Sequence, residues 1–149
     1  MNYYDLAEYR LKSSISLFQS KQYLDVIYWC CLSIELFLKS KLILIDHDSQ
    51  LEFSHDVISI YKCLANKYGD NQDIENIVKM SRKYFNESRY PYITNINEIY
   101  DENFAKMFIQ YVLDVKDYID NTCVVTLDEL QVKFRNKNLP KMNLFSKRK

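Results

Sequence analysis

The segment 89–92 runs Arg-Tyr-Pro-Tyr and so places a cation beside two aromatic rings. A guanidinium group offers a planar fork of donors that matches a phosphate, and a tyrosine ring can stack on a nucleobase. Two more cations, Arg82 and Lys83, lie one or two helical turns upstream and could add phosphate contacts. From this group, the residues that we predict to bind a ligand are Arg89, Tyr90, Tyr92 and Lys83.

A second group of charged residues lies in the most apolar stretch of the chain. Glu35 and Lys39 stand four positions apart with the acid first, which is the favourable order for an ion pair on a helix. Because burying an isolated charge is costly, a carboxylate on a buried helix needs a partner. The pair is either a polar spot that lines a groove between helices or an internal ion pair. Arg89 has a structural alternative too, as the partner of Glu35 or Glu87.

Both histidines of the chain lie in an acidic segment, residues 46–56. Histidines and carboxylates together suggest a metal site, but the spacing from His47 to His55 matches no metal-binding motif. We therefore predict neither a metal nor a cofactor. We expect His55 to make a hydrogen bond at a helix start and to fix that helix against the loop after Arg89. The remaining predicted ligand-binding residues are His55, Glu35 and Lys39.

The stretch 22–46 is the element that must position these groups. It contains few charged residues over about 25 positions, and a helix that is apolar nearly all round must be surrounded by other elements. Its longest uncharged run, residues 26–34, is too short to cross a bilayer. We therefore predict an all-α, up-and-down bundle of four to five helices around this stretch, with no membrane span.

Amphipathic segments on both sides of the central helix supply its neighbours. We predict a first helix from about Asp5 to Gln19, with a buried stripe of Tyr4, Ala7, Leu11, Ile15 and Phe18. The later helices are predicted from an N-cap at Ser54 to Gly69, from an N-cap at Asp73 to just before Pro91, and from between Asn97 and Asp101 to about Asp120. A capping-box pattern, Thr126 with Glu129, predicts a last short helix to about Arg135.

Charge is unevenly distributed along the chain. Residues 1–125 carry 13 Lys and Arg against 18 Asp and Glu, net −5, whereas residues 126–149 carry 7 against 2, net +5. The body should not attract nucleic acid through its total charge, but the basic end could, unless it is simply a solvated tail. We divide the chain into a helical bundle, residues 1–121, and an extension with a short helix and a basic tail, residues 122–149.

The cysteines bear on the compartment. None of the four belongs to a C-x-x-C pair, which favours small buried residues in a reducing environment over metal or redox roles. The chain does not open with a basic region followed by an apolar run, so we predict no signal peptide. Together these features predict a cytoplasmic protein.

Three motifs occur in a fixed order: E-x-x-L-K at residues 35–39, Ser-His-Asp at 54–56 and Arg-Tyr-Pro at 89–91. Set in five helices of these lengths, over about residues 5–120, this order resembles the HEPN family (higher eukaryotes and prokaryotes nucleotide-binding). The resemblance implies a helical bundle that commonly forms a homodimer. It also implies a partner such as a minimal nucleotidyltransferase or an antitoxin protein, within a toxin–antitoxin or phage-defence system.

Some members of that family are metal-independent ribonucleases that carry R-x(4–6)-H at the start of the last main helix. Neither Arg82 nor Arg89 is followed by a histidine, and none occurs after His55. The general acid–base is thus missing from the expected place, and the chain resembles the R-Y-P branch. We predict a non-catalytic module that binds a nucleotide or RNA. The alternatives are a degenerate ribonuclease toxin that uses Arg89 with Tyr90 or His55, and a helical scaffold for another protein.

Overall fold

Five α-helices make up most of the chain that the computed structural model describes, which comprises residues 1–46, 50–91 and 99–131. The helices are α1 (Tyr3–Gln19), α2 (Tyr23–Ile45), α3 (Val57–Tyr68), α4 (Gln72–Arg89) and α5 (Glu102–Asp117). A 3-10 turn, Gln50–Phe53, precedes α3, and a π-helical turn, Tyr118–Thr122, continues α5. These ranges contain no β-strand, and the helices pack against one another, which confirms the predicted all-α bundle.

The central position of α2 follows from its apolar composition. This helix packs against α1, α3, α4 and α5, and many of its apolar side chains, among them Ile34, Phe37 and Leu38, are completely buried. Each fully buried side chain of this size contributes about 1.5–3 kcal/mol to folding. The predicted central helix is therefore confirmed. None of the helices in the described ranges combines the length and the hydropathy that a membrane span requires.

The buried face of α1 differs from the predicted stripe at one of its residues. Ile15 is 39% exposed, and the small residue Ser14 is buried in its place. Ser14 donates a hydrogen bond to the carbonyl of Arg10, and Ser33 of α2 donates one to the carbonyl of Ala7 at 2.8 Å. Because α1 and α2 meet through small side chains, the face with Ala7 and Ser14 allows the closer approach. The prediction for Ile15 was wrong.

Two helix starts are set by caps other than the predicted ones. Asp56, not Ser54, caps α3: its carboxylate accepts hydrogen bonds from the amide and the hydroxyl of Ser59, at 3.2 and 2.7 Å. Ser54 instead accepts a bond from the amide of Asp56. Asn71, not Asp73, caps α4. In both cases the cap is a side chain within two residues of the predicted one, and it accepts a hydrogen bond from the amide three positions along the chain.

The described end of the chain joins the bundle. Asp101 caps α5, within the predicted interval, and Cys123, just after the π-helical turn, is fully buried. Thr126 and Glu129 form the reciprocal hydrogen bonds of a capping box, which confirms that motif, and residues 127–131 are helical. Glu129 also forms an ion pair with Lys67 at the end of α3. Residues 132–149, with most of the basic tail, lie outside the described ranges, and the division at residue 121 stays a prediction.

Candidate functional site

A cleft of about 280 Å³ opens where the middle of α2, the start of α3 and the C-terminal half of α4 meet. The packing of α2 against α3 and α4 brings these three segments together, although they are far apart in sequence. Its chemistry is determined by seven charged or polar side chains: Glu35, His55, Asp56, Ser81, Arg82, Asn86 and Arg89. The structure thus brings Glu35, His55 and Arg89 together in one cleft.

Glu35 is the buried charge at the base of this cleft. It is 4% exposed, and its carboxylate accepts a hydrogen bond from the Nζ of Lys39 at 3.1 Å. A second bond, of 2.9 Å, joins it to Nδ1 of His55. Lys39 is itself 5% exposed and is not part of the cleft wall. Glu35 therefore satisfies both predicted interpretations, since it is internally paired and also lines a groove between helices.

His55 ties the start of α3 to α2, whereas the predicted contact with the loop after Arg89 concerns residues 92–98, which lie outside the described ranges. Because a carboxylate can only accept, the bond to Glu35 places a proton on Nδ1 of the imidazole and leaves Nε2 for another partner. The side chain of His55 is 64% exposed, and its ring lies 5.5 Å from that of Phe85. The predicted helix-start hydrogen bond is made by Asp56 instead.

Arg89 ends α4 and rests on aromatic rings. Its guanidinium carbon lies 5.1 Å from the ring centroid of Phe85 and 5.3 Å from that of Tyr90. In the described part of the chain, no ion pair joins Arg89 to a carboxylate, so the alternative pairing with Glu35 or Glu87 is not observed. The side chain is exposed and available to a ligand.

Arg82 is the second cation of the cleft. Its neighbour Lys83, and not Arg82, was among the ligand-binding residues predicted from the sequence. Two donors from Ser59, and then the nearby charge of Arg82, hold the pKa of Asp56 below its usual range. Lys83 does not line the cleft; its ammonium group lies 5.2 Å from the ring of Tyr84.

The remaining predicted residues are placed less centrally. Tyr90 is 78% exposed beside the cleft, and Tyr92 lies outside the described residues. Phe85 and Asn86 also line the cleft, but neither was predicted from the sequence to bind a ligand. Counting back along α4 from Arg89 in steps of three and four would have found both, because such positions share a helix face.

Two other regions of the chain are rich in acidic residues. A larger cleft, of about 530 Å³, lies between the start of α4 and the end of α5, but Asp73, Asp114 and Asp117 line it and would repel a phosphate. Of the acidic segment 46–56, residues 47–49 are outside the described ranges. Within the described residues, no group of three or more His, Cys, Asp or Glu side chains is arranged to hold a metal ion.

A comparison with known protein families decides the classification. The family model of the HEPN domain matches residues 2–121. The chain belongs to the HEPN domain family. The matched part of this HEPN protein contains α1 to α5 and the whole cleft between α2, α3 and α4. No curated protein and no solved structure matches the chain significantly.

Proposed function

We propose that the cleft of this HEPN domain binds the phosphate of a nucleotide or of RNA without cleaving it. The observation that carries the proposal is the charge arrangement of the cleft. Arg82 and Arg89 make no ion pair within the described residues, whereas the buried carboxylate of Glu35 is already paired with Lys39 and hydrogen-bonded to His55. Two guanidinium groups on one face of α4 are thus left for an anion.

The remaining carboxylate of the cleft does not cancel this preference. Asp56 is held at the start of α3 by the amide and the hydroxyl of Ser59 and offsets only one of the two guanidinium charges. Because Glu35 is paired with Lys39, the cleft keeps a net positive charge. His55 contributes Nε2, and Phe85 and Tyr90 offer apolar surface next to Arg89. A phosphate between the arginines and a base against a ring would use all of these groups.

The sequence motif supports binding without cleavage. No histidine occurs after His55, so the R-x(4–6)-H arrangement of the ribonuclease members is absent, and the chain resembles the R-Y-P branch. By the same resemblance we propose a homodimer, which sedimentation would detect, beside a nucleotidyltransferase or an antitoxin protein in a toxin–antitoxin or phage-defence system. We place it in the cytoplasm, because all four cysteines are unpaired thiols.

The test is binding of a 5′-phosphorylated nucleotide and of a short RNA to single variants. Arg89→Ala and Arg82→Ala should each weaken binding roughly tenfold or more, since each removes a charged donor to phosphate. Lys83→Ala is the matched control, because it removes the same charge from α4 outside the cleft, and its effect should be within about twofold. All three side chains are exposed, so the melting temperature should hardly change.

Two results would contradict this function. One is a wild-type protein that binds neither ligand. The other is equal binding by Arg89→Ala, Lys83→Ala and the wild type, which would show that general surface charge, and not the cleft, attracts the ligand.

A ribonuclease is the second candidate, because one contact specifically favours it. Glu35 holds Nδ1 of His55 and leaves Nε2 as a potential general base at a cleft that contains Arg89. RNA cleavage in the presence of EDTA, abolished by both His55→Ala and Arg89→Ala, would establish this activity. RNA left intact by the wild type under these conditions would dismiss it.

A further inference from the structure

A row of touching aromatic and arginine side chains crosses the surface from α1 to the cleft. It starts on α1, passes over α2 and ends at the C-terminal end of α4, and each member contacts the next. We call this row the aromatic track; it consists of Arg10, Trp29, Tyr28, Phe85, Arg89 and Tyr90.

The half of the track that is remote from the cleft lies on α1 and α2. The guanidinium carbon of Arg10 is 4.5 Å from the ring centroid of Trp29, and the rings of Trp29 and Tyr28 meet edge to face at 5.0 Å. All three side chains are half-buried, and Tyr9, beside Arg10, is 54% exposed. These groups therefore belong to the surface, where a ligand can reach them.

The other half joins the track to the cleft. The ring of Tyr28 stacks on Phe85 with centroids 5.8 Å apart and ring planes inclined by 12°. Arg89 lies over both Phe85 and Tyr90. Since Phe85 and Arg89 also line the cleft, the track and the cleft form one continuous surface.

We propose that the aromatic track binds single-stranded RNA, an inference that rests on phosphate binding in the cleft. Neighbouring members are between 4.5 and 5.8 Å apart and pack against each other, so no base fits between them. Bases would stack instead on the outward surface of the half-buried rings and guanidinium planes, while phosphates pair with the arginines. A mononucleotide in the cleft would reach Arg89 but not Arg10. The strand therefore gains contacts on α1 and α2 that a mononucleotide lacks.

The arrangement favours an unpaired strand over a duplex. In a duplex, the faces of each base are covered by its neighbours, so protein rings cannot stack on them. Stacking on aromatic rings also tolerates every base. We therefore expect binding that depends on strand length and salt, with little preference for sequence.

Trp29 provides a direct readout, because it is the one tryptophan of the chain. Titration with a single-stranded RNA of about eight nucleotides should quench or shift its emission, since a base would contact the indole or displace Arg10 from it. A 5′-phosphorylated mononucleotide should bind in equilibrium dialysis but leave the emission unchanged.

The variant that separates the track from the cleft is Arg10→Ala. It should weaken RNA binding roughly tenfold and leave mononucleotide binding unchanged, whereas Arg89→Ala should weaken both. Lys12→Ala is the matched control, because it removes the same charge from an exposed position of α1. Arg10→Lys keeps the charge but loses the planar group, so an intermediate affinity for RNA would identify stacking. Melting temperatures of all variants check that the fold is retained.

The outcomes distinguish this inference from the proposed function. RNA binding that is equal in Arg10→Ala and Lys12→Ala, with mononucleotide binding still dependent on Arg89, overturns the track alone. Absence of binding for both ligands overturns the proposed function and the track together. A changed sedimentation coefficient for Arg10→Ala with unaltered RNA affinity would assign the track to a protein interface instead.

Discussion

At the scale of single residues, the buried carboxylate of Glu35 is the group of the cleft that most needs hydrogen-bond and ion-pair partners. Removing a carboxylate from water is unfavourable unless its lone pairs are satisfied. Lys39 and His55 satisfy them from one helical turn away and from the start of α3, respectively. Position 35 is thus a point at which stability and site geometry are coupled.

We expect Glu35→Met and Lys39→Met each to lower the free energy of unfolding by about 3–5 kcal/mol, because each leaves the other buried charge unpaired. The double variant Glu35→Met/Lys39→Met removes both charges and should recover most of that loss. Urea denaturation of the wild type, both single variants and the double variant measures the coupling. A double variant as unstable as the sum of the singles would show that the pair is not an energetic unit.

At the scale of elements, the start of α3 depends on Asp56. Its carboxylate caps the helix through Ser59 and carries a lowered pKa, so the ionised form is favoured by folding. The same residue lines the cleft, and the neighbouring His55 reaches α2. Loss of this cap would therefore also make the position of the His55 side chain less fixed.

Asp56→Ala should cost about 1 kcal/mol of stability at neutral pH, as is typical for loss of an N-cap. The lowered pKa means that the cap contributes fully above the pKa of the unfolded chain, which is about 3.9. The contribution is lost as the pH falls through the lower pKa of the folded state. Chemical denaturation at several pH values should show the wild type and the variant converge only in acid.

Asp70→Ala is the control for this experiment, because Asp70 is exposed in the turn between α3 and α4 and caps neither helix. Its effect should stay within about 0.5 kcal/mol. A difference between the wild type and Asp56→Ala that persists unchanged at the lowest pH would argue against the ionised cap.

At the scale of the whole molecule, the reactivity of the cysteine thiols depends on whether the common hydrophobic core is closed. Cys30 and Cys31 of α2 and Cys123 after α5 are buried in one hydrophobic cluster. Burial raises the pKa of all three thiols, that of Cys30 to about 12. Cys63 is only half-buried, and burial raises its pKa as well.

We expect these three buried thiols to react with a disulfide reagent at about pH 8 only as fast as the molecule opens, because they stay protonated and covered. Cys63 should react first. Mass spectrometry of labelled peptides, with and without denaturant, identifies the order. Rapid labelling of Cys30 and Cys123 under native conditions would mean that the α1, α2 and α5 core is not closed.

The sequence by itself determined the order of the helices, the central place of α2 and the capping box at Thr126. These features depend on local information, namely hydrophobic periodicity and hydrogen bonds between residues a few positions apart. The convergence of Glu35, His55 and Arg89 was expected because the other helices must surround the apolar α2.

Tertiary packing alone decided the details on which function depends. A shift of one residue turns a helix by about 100°, so it took the packed bundle to bury Ser14 instead of Ile15 and to aim Arg82, not Lys83, into the cleft. Glu35 likewise had several candidate partners in sequence. The pair with Lys39 could be predicted from their spacing on one helix, but only the three-dimensional arrangement added His55 and left Arg89 on the rings of Phe85 and Tyr90.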